Sequence, residues 1–154
     1  MLAEHHGVHF SYTHEGNGLA ICEPRSIRRV LLNLLTNASA ASPAGGHIRL
    51  RSLASGARWR VELEDEGCGV PDSQREHIFD RFVRLKQVSH PKLAGTGLGL
   101  AICRGIVELH HGHIRAEAGS DGRGLRVVFE IPAEPVAMSP DSISSNAPAP
   151  ATSK

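Results

Sequence analysis

Apolar residues in the stretch "SIRRVLLNLLTNASA" fall at Ile27, Val30, Leu31, Leu34, Leu35 and Ala38, a three-and-four spacing that lines one face of a helix. Ser26 stands where a cap is expected, and Pro43 followed by two glycines predicts the stop. Further on, "HIRLRSLA" and "RWRVELED" alternate apolar with charged residues, the period of strands with one face on a core, and "SGA" joins them as a tight hairpin. "HHGVHFSY" and "GLAICE" alternate more weakly across "THEGNG" and predict another hairpin. "DSQREHIFDRFVRL" has a helical pattern from Asp72, "KQVSHPKLAG" has none, and a helix is expected from about Leu98 to His111. "GHIRAEAG" and "LRVVFEIP" read as a closing hairpin through "SDGRG". Strands at both ends, helices between them, and hairpins in place of strand-helix-strand alternation predict a two-layer α+β sandwich, not a doubly wound sheet.

The end of the chain has no such pattern. Residues 133–154, "AEPVAMSPDSISSNAPAPATSK", are rich in Pro, Ser and Ala and cannot bury enough apolar surface to offset their ordering entropy. They are expected to be a disordered tail behind one domain of residues 1–132, large enough to bury about two-thirds of its unfolded surface in one core. The net charge of +1 argues against nucleic acid or an acidic membrane as a partner. Cys22, Cys68 and Cys103 are odd in number and widely spaced, so neither a disulfide framework nor a zinc site is indicated, and a reducing, cytoplasmic setting is expected. The opening "MLAEHHGVHF" lacks the apolar core of a signal peptide, and no run approaches the ~18 apolar residues of a membrane span.

Three stretches carry candidate chemistry. In "GTGLGLAI", glycines at every second position lead into a helix, joining free backbone approach to the unpaired N–H groups and partial positive charge of a helix start. That combination cradles anions, phosphate above all, although a plain connector has the same composition. In "EDEGCGVP", Asp65 ends a strand just before Gly67 and Gly69, where a carboxylate could meet the exocyclic amine of a flat ligand; an ordinary Asp-containing turn accounts for the same residues. In "NLLTNA", Asn33 and Asn37 lie one turn apart on one helix face. Such amides are usually solvated, yet an Asn oxygen is also a hard ligand for Mg²⁺ shared with phosphates.

Taken in order, Asn37, "DEGCGVP", "IFDRFVR" and "GTGLGLAI" resemble the boxes of the ATP-binding catalytic domain of sensor histidine kinases, within the Bergerat-fold group that includes gyrase, Hsp90 and MutL. The resemblance covers nearly all of Val8 to Pro132. It implies three main helices on a mixed sheet of about five strands, with ATP and Mg²⁺ as cofactors. It implies that Asp65 accepts from the adenine amine, with Gly67 and Gly69 shaping the base pocket, and that Asn37 ligates Mg²⁺ with Asn33 beside it. Gly95, Thr96, Gly97, Leu98 and Gly99 would hold the phosphates, and Arg84 would reach the γ-phosphate. Phe79 and Phe82 would anchor a lid over about residues 84–94. The chain departs from the family's pattern at Ala40 and Ala41, where many members carry a Lys and an aromatic ring, at Leu125 in place of Ser or Thr, and at Ala94 in place of Gly.

The resemblance further implies a protein histidine kinase that passes the γ-phosphoryl group to a histidine on a dimerisation domain and, indirectly, to a response regulator. Hydrolytic relatives carry a Glu four residues before the metal-binding Asn; Asn33 holds that place here, and an amide is a poor base for activating water. No motif of the His-Glu-Leu-Arg-Thr-Pro type is present, so the acceptor histidine is expected on another part of a larger sensor kinase, whether or not that parent is anchored in a membrane, and little autophosphorylation is expected from this chain. Two rival readings are a self-sufficient anti-sigma-type Ser/Thr kinase and a degenerate nucleotide-sensing module. A metal site in "HHGH" has no Cys or carboxylate at ligand spacing to support it.

Overall fold

A computed structural model describes residues 7–83 and 97–135. Strands β1 (His9–Gly16), β2 (Gly18–Ala20), β3 (His47–Ser55), β4 (Arg58–Glu64), β5 (His113–Ala118) and β6 (Leu125–Pro135) form a mixed six-stranded sheet. One face is covered by helices α1 (Pro24–Ala41) and α2 (Gly99–Leu109), with short 3-10 turns at Asp72–Gln74 and His77–Phe79. The expected α+β sandwich is present. The helical pattern from Asp72 is realised as the two 3-10 turns, because among its described residues only Ile78 and Phe79 reach the core and too few backbone bonds accumulate to propagate a longer helix.

Helix α1 forms as its apolar spacing requires, with Ile27, Val30, Leu34 and Ala38 buried. Its cap is Glu23, not Ser26: the Glu23 carboxylate accepts from Arg25 N–H at 3.0 Å and Ser26 N–H at 2.6 Å. Pro24 explains the shift, since its fixed φ and missing N–H suit the first helical position and start the helix before Ser26. Helix α2 ends in a Schellman arrangement, with Gly112 N–H donating to Val107 O and His111 N–H to Glu108 O, both at 2.9 Å. His110 closes the gap between the two helices. Its Nδ1 lies 2.7 Å from Ile106 O and its Nε2 accepts from Glu23 N–H at 3.0 Å. A carbonyl can only accept and an amide N–H only donate, so these partners fix the ring as the Nδ1–H tautomer.

The helix-facing side of the sheet supplies Ile48, Val61, Leu63, Ile114, Val127, Phe129 and Ile131, which meet Val30, Leu34, Cys103 and Val107 in one core. Burying each such side chain contributes about 1.5–3 kcal/mol. The opposite face pairs charges, for example Arg60 with Glu62 at 2.7 Å and with Glu130 at 3.1 Å.

Both later hairpins, β3–β4 and β5–β6, pair as expected. The first hairpin does not form. β1 runs parallel to β3, and β2 pairs antiparallel with the end of β6. The reason is Gly16, whose φ of +84° and lack of a Cβ let the chain pass close over Ala54 O at the end of β3. The link from β1 to β3 is then a crossover containing α1, as a parallel pair requires. β6 continues through Ala133 to Pro135, three residues beyond the expected domain boundary, because β2 gives those residues a ladder to join. The remainder of the expected tail lies outside the described residues.

Burial pushes the Cys103 thiol up to about 11, whereas Cys68 is exposed and Cys22 half-buried. A thiol reagent at mildly alkaline pH should therefore label Cys68 first and Cys22 slowly, with Cys103 reacting only on unfolding. Mass spectrometry of labelled peptides checks this order; early labelling of Cys103 would contradict the packing described.

Candidate nucleotide site

Asp65 follows the last residue of β4 and extends its ladder, its N–H donating to Leu125 O at 3.0 Å. The side chain is only 5% exposed. Oδ1 accepts from Gly67 N–H at 2.8 Å and from Leu125 N–H at 3.2 Å. Oδ2 has no partner among the described residues and remains available as an acceptor. Burial pushes the carboxyl above the ordinary aspartate range; the two N–H donors pull it back down, and neighbouring Glu64 adds to the rise.

Close backbone packing fixes the loop that carries Asp65. A Cβ on Gly67 would stand 2.7 Å from Ala41 O and 2.9 Å from the Ala41 methyl, so the loop rests on the last residue of α1. On its other side is the β5–β6 turn, where Gly124, at φ +67°, lies so close that a Cβ would fall 1.8 Å from Asp65 O. Glu64 holds that turn by accepting from Ser120 N–H at 3.1 Å and Ser120 Oγ–H at 2.7 Å.

Helix α1 brings the separate segments together. Asn33, Asn37 and Ala41 are four residues apart and share one stripe. Ala41 touches the Asp65 loop, while Asn33 Nδ2 donates to Gly99 O at 3.4 Å, in the first turn of α2. Asn37 stands between these contacts, exposed and without a hydrogen-bond partner among the described residues. Asp65, Asn37 and the start of α2 thus border one region. Leu98 begins α2 with no side-chain cap, so the first-turn N–H groups keep their capacity for an anion. Asn33 differs from its expected place beside the metal ligand in one respect: its amide is engaged with α2.

Gly97, at φ +69°, packs against the Phe82 backbone, where a Cβ would come within 3.1 Å, and Phe82 N–H donates to Gly97 O at 3.0 Å. Phe82 and Gly97, on either side of the expected lid, therefore meet. Of the two phenylalanines expected as anchors, Phe79 is buried in the core, whereas Phe82 is exposed with φ +64°. Asp80 bonds to Arg104 of α2 at 3.0 Å and to His77 at 3.1 Å, which fixes this segment to the helix. Arg84, Gly95, Thr96 and the expected lid fall outside the described residues.

The profile of the family "Histidine kinase-, DNA gyrase B-, and HSP90-like ATPase" matches residues 22–135. The chain belongs to this family. Sensor histidine kinase TmoS of Ectopseudomonas mendocina is 42% identical over 104 residues, covering 67% of this chain and 10% of that protein. The mycobacterial sensor histidine kinase MprB superposes with a TM-score of 0.78 at 26% identity, covering 88% of this chain and 90% of that one. Histidine kinase ThkA in complex with response regulator protein TrrA superposes with a TM-score of 0.66 at 30% identity, over 81% of this chain and 34% of that one. The chain spans only 10–29% of the length of the curated histidine kinases it matches.

In the candidate site, Gly124 and the Leu125 N–H also close on Asp65, and neither is among the residues the sequence singles out. Leu125 was weighed for its side chain, but its contribution to Asp65 is its backbone. The one available signal was the density of glycine in "GSDGRG", which a hairpin turn alone does not need. Ala41, noted as a missing aromatic ring, is the surface on which Gly67 rests. Among the described residues no three His, Cys, Asp or Glu side chains converge to hold a metal, and no helix is long and apolar enough to cross a membrane.

Proposed function

We propose that this chain is the ATP-binding catalytic domain of a sensor histidine kinase and delivers the γ-phosphoryl group of ATP to a histidine on a dimerisation domain carried elsewhere. The observation that carries the reading is the α1 stripe, Asn33 on α2 and Ala41 on the Asp65 loop, with Asn37 between them. Asp65 Oδ2 accepts from the adenine amine; Gly67 and Gly69 shape the base pocket by letting the loop pack close against Ala41 and Gly124. The first-turn N–H groups of α2, with Gly97, Leu98 and Gly99, take the phosphates, joined by Gly95 and Thr96. Arg84 neutralises charge at the γ-phosphate.

The donor set at Asn37 fits Mg²⁺: one uncommitted amide oxygen, with phosphate oxygens and water to complete a hard oxygen shell. When bound, the ion supplies charge neutralisation across the phosphate oxygens. Asn33 is spent on holding the start of α2, and it is no base, so among the described residues the position four before Asn37 offers no group to prepare a water for attack. Phosphoryl transfer to a protein acceptor is favoured over hydrolysis. A response regulator is the downstream partner, as the ThkA complex is named for, and a cytoplasmic setting suits ATP supply.

The test mixes the chain with dimerisation domains of candidate parent kinases and γ-labelled ATP with Mg²⁺. Label should appear on the partner's histidine and hardly at all on this chain, and Arg84→Ala should slow transfer by about a hundredfold or more. Rapid labelling of this chain's own histidines, or of serine on an anti-sigma-type partner, would overturn the reading.

A further inference from the structure

Strand β1 forms one edge of the sheet, and among the described residues its outer side has no partner. His9 N–H donates to Gly46 O at 2.8 Å, and the parallel register His9 opposite His47 runs on to Gly16 opposite Ala54. His9, Ser11, Thr13 and Glu15 therefore turn their N–H and C=O groups inward to β3. Those of Phe10, Tyr12 and His14 point outward. Tyr12 Oη and His14 Nδ1 lie 3.1 and 2.7 Å from Ser52 Oγ, on the helix side of the sheet. On the other side, Glu15 pairs with Arg51 at 2.9 Å and the His9 ring stacks on His47. Phe10 and Tyr12 are 51% and 56% exposed. "HFSYTHEG" contains no Lys, Arg or Pro, so the edge lacks the residues that usually prevent strand pairing.

We propose that a second copy of this chain covers this edge, with β1 antiparallel to β1 about a twofold axis through Tyr12. The strand is self-complementary in that register. Tyr12 faces Tyr12 and Phe10 faces His14, so all three outward N–H groups and all three outward C=O groups of each strand find partners. On the helix side this makes a continuous aromatic row. On the other side His9 meets Glu15, a carboxylate with an imidazole, and Ser11 meets Thr13. Moving the axis by one residue sets Glu15 opposite Ser11 or Gly7, discards the carboxylate–imidazole contact and leaves one strand end unpaired. The contact is isologous and closes at two copies.

Two measurements on the 154-residue chain test this. Sedimentation from low micromolar to near millimolar concentration should show a reversible dimer. Tyr12→Pro should weaken it by roughly tenfold or more, because that N–H serves no bond within the chain, whereas Tyr12→Phe, which loses only the hydrogen bond to Ser52, should leave the dimer in place. Unchanged circular dichroism confirms that the variant folds. In a Cys68→Ser background, Tyr12→Cys should cross-link to itself under mild oxidation, while Leu109→Cys, on the exposed surface of α2, should not. A monomer at every concentration, a dimer indifferent to Tyr12→Pro, or equal cross-linking at the two positions would overturn the proposal.

Discussion

Replacing Asp65 with Asn is expected to weaken ATP binding by about a hundredfold, equivalent to about 2.7 kcal/mol, without loss of the fold. The side chain keeps its shape, and an Asn oxygen still accepts from Gly67 and Leu125 N–H. What changes is the other terminus, where an NH₂ donor would meet the donor amine of adenine, leaving both unpaired. Stability moves the other way. The folded carboxyl has its pKa raised by burial, so in the wild type this group costs stability as pH rises from below the ordinary aspartate value through the raised one. The Asn variant escapes that cost. Its nucleotide-free melting temperature at neutral pH should equal or exceed that of the wild type, and the difference should vanish in acid. Wild-type affinity for ATP should begin to fall on acidification at a higher pH than an unperturbed aspartate would give. Calorimetric titration with a non-hydrolysable analogue, paired with melting curves across pH, reads both effects; equal binding by the two proteins would remove Asp65 from the site.

The second large effect concerns Gly124. Gly124→Ala forces a side chain into a left-handed backbone and drives its Cβ to 1.8 Å from Asp65 O, a backbone atom that cannot swing aside. The expected loss is about 3 kcal/mol or more, read as a lower denaturant midpoint, together with loss of ATP binding because Asp65 must move. Gly122→Ala is the matched control, with a similar φ of +71° and open space around it. It should cost only about 1 kcal/mol of backbone strain and leave binding unchanged. If the two variants behave alike, the turn is not the wall of the site.

Where the sequence carried an amphipathic period long enough to bury a face, the fold was legible: α1, α2 and the two later hairpins all form where the spacing predicts. It misled where local pattern and long-range pairing disagree. "HHGVHFSY" and "GLAICE" look like hairpin partners, but a strand's alternation says only which face is buried, not which neighbour it joins, and Gly16 sends the chain across to β6. The Asp72 segment has helical spacing, yet among its described residues only Ile78 and Phe79 are buried. In the candidate site, Asn37 and the boxes "DEGCGVP" and "GTGLGLAI" stand out in the sequence because their polar side chains and closely spaced glycines interrupt the apolar periods around them. Gly124 and Leu125 act through backbone position, and one cannot read from their side chains that they close around Asp65.

On the proposed reading, the Asp65 loop, the α1 stripe and the start of α2 bind one nucleotide together. Amide ¹H–¹⁵N spectra recorded during titration with a non-hydrolysable ATP analogue and Mg²⁺ test it most directly. The amides of Asn37, Gly67, Leu125, Gly97 and Gly99 should shift along one saturable curve with a single dissociation constant. Shifts confined to one of the three segments, or separate curves for the Asp65 loop and the start of α2, would contradict it.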